Sequence, residues 1–281
     1  MQAGEKQEVK QLQDRRALVT GGGRGIGRAI ALGLAEAGAD VALLARSRDE
    51  VERVAAEVAE VGTRSLALTA DLADPSAAEQ AVERIDHAWG GVDVLVNNAG
   101  ILGPVGPTHD VDPVAWLDTI RINLGGCYLC SRAVLPGMIE RRDGRIINLS
   151  GGGAVSPRPW FSAYGASKAA IVRLTETLAV EVADHGIQVN AISPGAVNTK
   201  MTEQAVAAGE RAGDEAEQAR RQLQEGATPP RQAVDLVVYL ASQRSAGLTG
   251  RMLAACWDDW EKFDVAQIMK TEQFTVRRIK P

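Results

Sequence analysis

The chain has 281 residues, 45% hydrophobic and 24% charged, a composition typical of one large or two small globular domains and not of a mainly disordered chain. Its net charge of −5 gives no general attraction to nucleic-acid phosphates or anionic lipids, so neither nucleic acid nor a membrane is expected as its partner. The absence of an apolar run of about 18 residues, and of an apolar signal core after Met1, predicts a cytoplasmic protein.

Residues 1–14 are polar without apolar periodicity and are expected to form a flexible tail. From Arg16 onward, short apolar runs alternate with helical stretches, which is the rhythm of βαβ units. Runs without strict polar alternation are typical of strands that helices cover on both faces. We therefore predict an α/β domain over residues 15–256, a single Rossmann-type, doubly wound, seven-stranded parallel sheet flanked by helices. The predicted strands are residues 17–20, 41–45, 65–70, 92–97, 145–149, 187–192 and 251–255.

Four helices can be predicted between these strands, over residues 29–37, 48–61, 75–89 and 162–183. Gly38 is placed to end the first, and Asp74 is placed to cap the third, with Pro75 as its first residue. A charged, alanine-rich segment over 199–230 is too long for a simple connection. It is predicted to be a surface helix pair, a substrate lid, or both.

A glycine-rich loop follows the first strand, with the sequence Thr20-Gly-Gly-Gly-Arg-Gly-Ile-Gly27. Glycines in such a loop allow a sharp turn and let the backbone approach a pyrophosphate, which the next helix faces with its amino terminus. The loop residues expected to bind a dinucleotide are Gly21, Gly23, Arg24, Gly25, Ile26 and Gly27.

Further motifs follow in chain order: Asn97-Asn98-Ala99-Gly100, Asn123, Tyr164-Gly-Ala-Ser-Lys168 and Pro194-Gly195 with Thr199 beyond. Together with the glycine spacing, they resemble the short-chain dehydrogenase/reductase family over about residues 15–255. The resemblance implies hydride exchange between a nicotinamide cofactor and a secondary alcohol or ketone. It further implies cofactor contacts from Asp71, Leu72, Asn98, Ala99, Gly100, Tyr164, Lys168, Pro194, Gly195, Val197 and Thr199, and it suggests a homodimer or homotetramer.

Tyr164 and Lys168 are four positions apart, so on a helix they share one face. A nearby ammonium stabilises a phenolate and lowers a tyrosine pKa toward the working pH, which makes the phenol a usable acid or base. By resemblance, Tyr164 exchanges the proton, Lys168 also binds the nicotinamide ribose, and Asn123 holds a water in a proton relay. No metal is expected in this chemistry.

The charge pattern at the end of the second strand favours NADP(H) over NAD(H). An acidic residue there would bind the ribose hydroxyls, whereas this chain has Ala45 followed by Arg46. Arg24 in the glycine loop can approach the same phosphate, so two guanidinium groups are predicted to bind it, Arg46 as the main determinant.

The catalytic serine is irregular in this sequence. Members of the family place it thirteen residues before the tyrosine, where this chain has Gly151, with Ser150 one position earlier. Ser150 is predicted to take the role if the glycines at 151–153 form a bulge that redirects it. Backbone N–H groups of those glycines, or a site without turnover, remain the alternatives. The last alternative makes the chain a regulatory protein that binds NADP(H).

Two smaller features complete the expectations. Cys127 and Cys130 lie in an apolar helical pattern and are expected to be buried and structural. Residues 257–281 depart from the family pattern, because Trp257 and Trp260 follow the last strand. This extension is predicted to pack on the domain or on a neighbouring subunit.

Overall fold

A computed structural model describes residues 10–226 and 229–277. Within these residues, seven parallel strands form one sheet in the order β3-β2-β1-β4-β5-β6-β7. The strands are β1 (Arg16–Thr20), β2 (Asp40–Ala45), β3 (Ser65–Thr69), β4 (Val94–Asn97), β5 (Gly144–Leu149), β6 (Ile187–Ser193) and β7 (Met252–Ala254). The strand order reverses between β1 and β4, so the predicted doubly wound, seven-stranded parallel sheet is confirmed.

Helices cover both faces of the sheet. They are α1 (Gly25–Glu36), α2 (Arg48–Glu60), α3 (Ala77–Trp89), α4 (Pro113–Ile120), α5 (Gly126–Arg141), α6 (Ser162–Glu181), α7 (Lys200–Ala207), α8 (Asp214–Glu225), α9 (Arg231–Ala241) and α10 (Val265–Ile268). The apolar sides of α1, α2 and α9 pack on one face, and those of α3, α5 and α6 pack on the other. This double cover explains why β5 is buried along its whole length.

Two helix starts differ from the prediction for local reasons. Helix α1 begins at Gly25, within the glycine loop, and the close approach of its first turn to the Gly21 carbonyl requires glycine at position 27. Helix α3 begins at Ala77 instead of Pro75. Asp74 does not cap it, because its Oδ1 accepts bonds from the backbone N and the Oγ of Ser76, both at 2.9 Å, in a turn that precedes the helix.

Both ends of the described chain pack on the domain. Residues 1–9 of the predicted tail lie outside the described residues, but Leu12 is buried and its N–H donates to the carbonyl of Ala37 at 2.8 Å. In the carboxy-terminal extension, Trp260 is buried and its ring centroid lies 5.2 Å from that of Tyr239. Trp257, in contrast, is 69% exposed. Only one of the two tryptophans therefore covers the apolar surface.

The two cysteines of α5 are buried, and burial raises the pKa of each thiol to about 12. A thiol with such a pKa is a poor nucleophile at neutral pH. No helix in the described part of the chain has the length and apolar character that a membrane crossing needs.

Candidate active site

The carboxyl ends of β1, β2, β3 and β4 open into a cleft of about 400 Å³. In a doubly wound sheet, a ligand site is expected where the strand order reverses, here between β1 and β4. The cleft is lined by thirteen of the predicted cofactor residues: Gly21, Gly23, Arg24, Gly25, Ile26, Gly27, Arg46, Asp71, Leu72, Asn98, Ala99, Gly100 and Thr199. Pro194 and Gly195 are not among its lining residues, and Val197 lines a smaller pocket with Gly25.

The glycines of the loop allow close approaches of the backbone that a side chain would prevent. A Cβ on Gly27 would lie 2.2 Å from the carbonyl oxygen of Gly21, so only glycine lets α1 approach the loop. A Cβ on Gly25 would meet only the Thr199 methyl, at 3.9 Å. Among the described residues, no side chain caps the amino terminus of α1, so its backbone donors are open to an anion. This cradle fits the pyrophosphate of a dinucleotide.

Asn98 fastens the loop to the end of β4. Its Nδ2 donates to the carbonyl oxygens of Thr20 at 2.8 Å and of Gly21 at 3.2 Å. The Thr20 hydroxyl in turn accepts the backbone N–H groups of Asn98 and Ala99, both at 3.0 Å. These bonds hold the two sides of the cleft in a fixed relation.

Two arginines lie at the end of the cleft near β2, as predicted, but an acidic residue accompanies them. Arg46 is exposed at the cleft wall. Arg24 donates from Nη1 to Oε1 of Glu50 at 3.2 Å, and Glu50 also lines the cleft. The positive charge of Arg24 is thus partly compensated by Glu50, whereas Arg46 is exposed at the cleft wall.

Tyr164 and Lys168 lie on the first turns of α6, on one face as predicted. Both are buried, and Lys168 Nζ donates to the carbonyl oxygen of Leu149 at 2.8 Å. A Cβ on Gly100 would lie 3.8 Å from that Nζ, which places Lys168 at the inner end of the cleft. Burial lowers the pKa of Lys168 to about 8. Burial also raises the pKa of Tyr164, and the guanidinium of Arg158 opposes that rise.

Asn123 lies in a π-helical turn, Arg121–Gly125, between α4 and α5. Such turns insert one residue into a helix and occur often at functional sites. Asn123 Oδ1 accepts the N–H of Ile101 at 2.8 Å, and its Nδ2 donates to the carbonyl of Ile101 and to Ser167 Oγ. The side chain thus ties the strand-end loop to α6, next to Lys168.

Ser150 and Gly151, the two residues at the position predicted for the serine, contact different groups. Ser150 Oγ is buried and donates to the backbone carbonyl of Lys168 at 3.3 Å. Gly151 faces the tyrosine, because a Cβ there would lie 3.2 Å from the Tyr164 hydroxyl. Gly153 is required for packing, because a Cβ there would lie 2.8 Å from Cα of Gly165 in α6. This geometry favours the backbone-donor alternative.

Sequence reasoning missed two charged residues beside Tyr164. Arg158 lies with its Cζ 5.2 Å from the Tyr164 ring centroid. Glu215, in α8, holds that guanidinium with three hydrogen bonds. The two residues are separated by 57 positions, so no local pattern could have paired them.

Known proteins resemble this chain over most of its length. A family model described as short chain dehydrogenase matches residues 15–210. The chain is 40% identical to the oxidoreductase UcpA of Escherichia coli (strain K12) over 245 residues, which are 85% of this chain and 92% of that protein. It is 36% identical to the short chain dehydrogenase citE of Monascus ruber over 265 residues, 92% of this chain and 84% of that protein.

The chain is also similar to solved structures of dehydrogenases over most of its length. The NAD⁺-bound structure of a xylitol dehydrogenase superposes with a TM-score of 0.81 at 32% identity, covering 87% of this chain and 98% of that one. A putative NAD(P)-dependent gluconate 5-dehydrogenase from Beutenbergia cavernae, with NADP bound at low occupancy, gives a TM-score of 0.78 at 38% identity. The match covers 88% of this chain and 97% of that one.

Proposed function

This chain belongs to the short-chain dehydrogenase/reductase family of oxidoreductases, and on that basis we propose that it interconverts a secondary alcohol and a ketone with NADP(H) as the preferred cofactor. The observation that supports the proposal is the shared face of Tyr164 and Lys168 on α6, with Lys168 Nζ 3.8 Å from the Cβ position of Gly100, a residue that lines the cleft. The glycine cradle and the strand-end asparagine account for binding, and the tyrosine accounts for the proton.

A bound nicotinamide supplies or accepts the hydride at carbon. Tyr164 handles the proton: its phenol donates to the carbonyl oxygen during reduction and accepts from the alcohol during oxidation. Because burial raises the pKa of Tyr164, the phenol is protonated at neutral pH and ready to donate. Lys168, fixed by the Leu149 carbonyl, provides positive charge at the ribose end, and Asn123 keeps α6 in place. Backbone N–H groups of the Gly151–Gly153 loop provide the second donor to the substrate oxygen.

The preference for NADP(H) rests on Arg46 at the cleft wall and on the absence of an acidic residue at the end of β2. We expect Arg46→Ala to raise the Michaelis constant for NADPH about tenfold or more and to change that for NADH little, because a charge-assisted hydrogen bond contributes about 1.5–3 kcal/mol. Initial rates with the two cofactors measure this. An unchanged ratio of the two constants would reject Arg46 as the determinant.

A regulatory protein that binds NADP(H) without turnover is the second candidate. One observation favours it: Gly151 faces Tyr164 where the family has a serine, so no side-chain hydroxyl stands opposite the tyrosine at that position. The two candidates share the cleft and differ only in chemistry. We further propose that the protein is cytoplasmic and forms a homodimer or homotetramer, which light scattering measures.

One experiment separates the candidates. The protein is incubated with NADPH and a panel of ketones, and with NADP⁺ and a panel of secondary alcohols, while absorbance of the reduced cofactor is followed. For the enzyme we expect turnover that Tyr164→Phe lowers by at least about a hundredfold, a magnitude typical of losing a general acid. NADPH affinity of the variant, measured by calorimetry, is expected to stay within about threefold. Tight NADPH binding with no turnover of any compound would favour the regulatory protein.

A further inference from the structure

The loop between β5 and α6 places a guanidinium beside the proposed proton donor. The Cζ atom of Arg158 lies 4.3 Å from the ring centroid of Phe161 and 5.2 Å from that of Tyr164. Phe161 is fully buried, so its ring is a fixed support. A guanidinium at such distances is attracted to the ring face. Arg158 is therefore held in position by the body of the domain.

The charged end of Arg158 is occupied by a carboxylate from α8. Nε donates to Oε1 and Oε2 of Glu215 at 2.8 and 2.9 Å, and Nη2 donates to Oε2 at 2.6 Å. Both side chains are largely covered, with 22% and 27% of their surfaces exposed. A forked, partly desolvated pair of this kind is stronger and more directional than a surface ion pair.

The helix that carries Glu215 covers Tyr164. Alanines from α7, α8 and the turn between them pack in one apolar cluster with Leu102, Phe161 and Tyr164; they are Ala205, Ala212, Ala216 and Ala219. The tyrosine is left 9% exposed. Alanine contacts bury little area, so the Arg158–Glu215 pair is the strongest directional contact between α8 and the loop before α6. Movement of α8 away from this loop would expose more of Tyr164.

We propose that Arg158 and Glu215 are a specificity-determining pair: together they close α8 over Tyr164, and because their charges cancel they reserve the pocket for uncharged alcohols and ketones. The proposal rests on the oxidoreductase function proposed above. Glu215 accepts the N–H groups of Arg158 that would otherwise bind a substrate carboxylate. Its own negative charge also repels the carboxylate of a substrate that comes close. Replacing Glu215 leaves the positive charge of Arg158 unpaired, and replacing Arg158 leaves the negative charge of Glu215 unpaired. The two replacements therefore change the preference for an anionic substrate in opposite directions.

The test compares levulinate with its methyl ester, two ketones that differ in one negative charge. The ratio of kcat/KM for the acid to that for the ester is measured with NADPH for the wild type, Glu215→Gln, Arg158→Gln and the double variant. We expect Glu215→Gln to raise the ratio at least about tenfold and Arg158→Gln to lower it, on the scale of one hydrogen bond to a charged group. The double variant is expected to return to within about threefold of the wild type.

Two further measurements keep this test independent of turnover. The dissociation constants of acid and ester are measured by calorimetry on the NADP⁺-bound protein, and their ratio is expected to follow the same opposite shifts. Hydrogen–deuterium exchange of peptides from α8 is expected to speed up in both single variants. Glu217→Gln is the matched control, because Glu217 lies in the same helix and pairs only with Arg220 and Arg221 among its described partners.

The outcomes are distinguishable. Single variants that shift the ratio in the same direction, or not at all, would overturn the charge selectivity. Exchange in α8 that rises no more than in Glu217→Gln would overturn the closing role. If the wild type shows no turnover but the ratios of dissociation constants shift as expected, the proposed enzymatic function is wrong. The proposed role of Arg158 and Glu215 in ligand selectivity is then still supported.

Discussion

Ser150 and Gly151 are neighbours at the end of β5, yet they face different partners. Ser150 Oγ donates to the carbonyl of Lys168, whereas the Cβ position of Gly151 lies 3.2 Å from the Tyr164 hydroxyl. Successive residues of an extended chain face opposite sides, so one step of register decides which residue meets the substrate. The Ser150 hydroxyl therefore bonds to the backbone of α6.

Replacing Ser150 by alanine tests that assignment. We expect kcat to stay within about threefold of wild type, because the Ser150 hydroxyl bonds to the Lys168 carbonyl. The free energy of unfolding is expected to fall by about 1 kcal/mol, the usual net contribution of one intramolecular hydrogen bond. Steady-state kinetics and urea denaturation measure the two effects. A loss of kcat near a hundredfold, as for a donor to the substrate oxygen, would return the catalytic role to Ser150.

Lys168 gives a prediction about pH. Its pKa in the folded protein is about 8, against 10.5 for an ordinary lysine, because burial penalises the charged form. Between these values the unfolded chain binds more protons, so the contribution of Lys168 to stability rises with pH. For the cofactor-free protein we expect Lys168→Met to be more stable than wild type at pH 7, with the difference shrinking as pH rises above about 8. Urea denaturation across this range measures it, and a difference independent of pH would contradict it.

At the scale of elements, α1 approaches α9 as closely as its glycines allow. A Cβ on Gly33 would lie 2.1 Å from Cγ1 of Val234 in α9. Helix α1 also presents its amino terminus to the cleft. Its packing against α9 therefore also fixes the position of that amino terminus beside the glycine loop.

We therefore expect Gly33→Ala to lower the free energy of unfolding by about 1–3 kcal/mol, the cost of overpacking a core contact. Gly125→Ala is the matched control: Gly125 has helical φ of −61°, and a Cβ there would meet nothing within 4 Å. That variant is expected to keep or slightly raise stability, since alanine restricts the unfolded chain. Thermal and urea unfolding compare the two, and equal effects would argue against a steric cause.

At the scale of the whole molecule, the carboxy-terminal extension completes the edge of the sheet. The N–H of Met252 in β7 donates to the carbonyl of Phe274 at 2.8 Å, and the N–H of Val276 donates to Glu176 in α6 at 2.9 Å. Trp260 packs on Tyr239 of α9. The extension thus bonds to an edge strand that would otherwise leave its backbone groups unpaired.

The two tryptophans of the extension offer a paired test. Trp260→Ala is expected to cost about 3–5 kcal/mol, as for a large buried aromatic. Trp257→Ala is expected to change stability by less than about 0.5 kcal/mol, because its side chain is mostly exposed. Urea denaturation of both variants measures the two changes in stability. A large cost at Trp257 with the wild-type oligomeric state lost would instead place that residue in a subunit interface.

The sequence by itself determined the α/β architecture, the glycine cradle and the shared face of Tyr164 and Lys168. These features depend on spacing along the chain: apolar runs mark covered strands, and four positions make one helical turn. Among the thirteen cleft residues, those of the glycine loop follow from the same local order, whereas Asp71, Leu72, Asn98, Ala99, Gly100 and Thr199 are predicted through the family resemblance.

Only the tertiary structure decided which side chains meet across the sheet and loops. It turned Ser150 to the Lys168 carbonyl, paired Arg24 with Glu50, and joined Arg158 to Glu215 over 57 positions. It also buried Leu12 and Trp260 while leaving Trp257 exposed. Covalent geometry and periodicity fix neighbours within a few residues, whereas contacts between distant segments are selected by the packing of the complete chain, which no local pattern encodes.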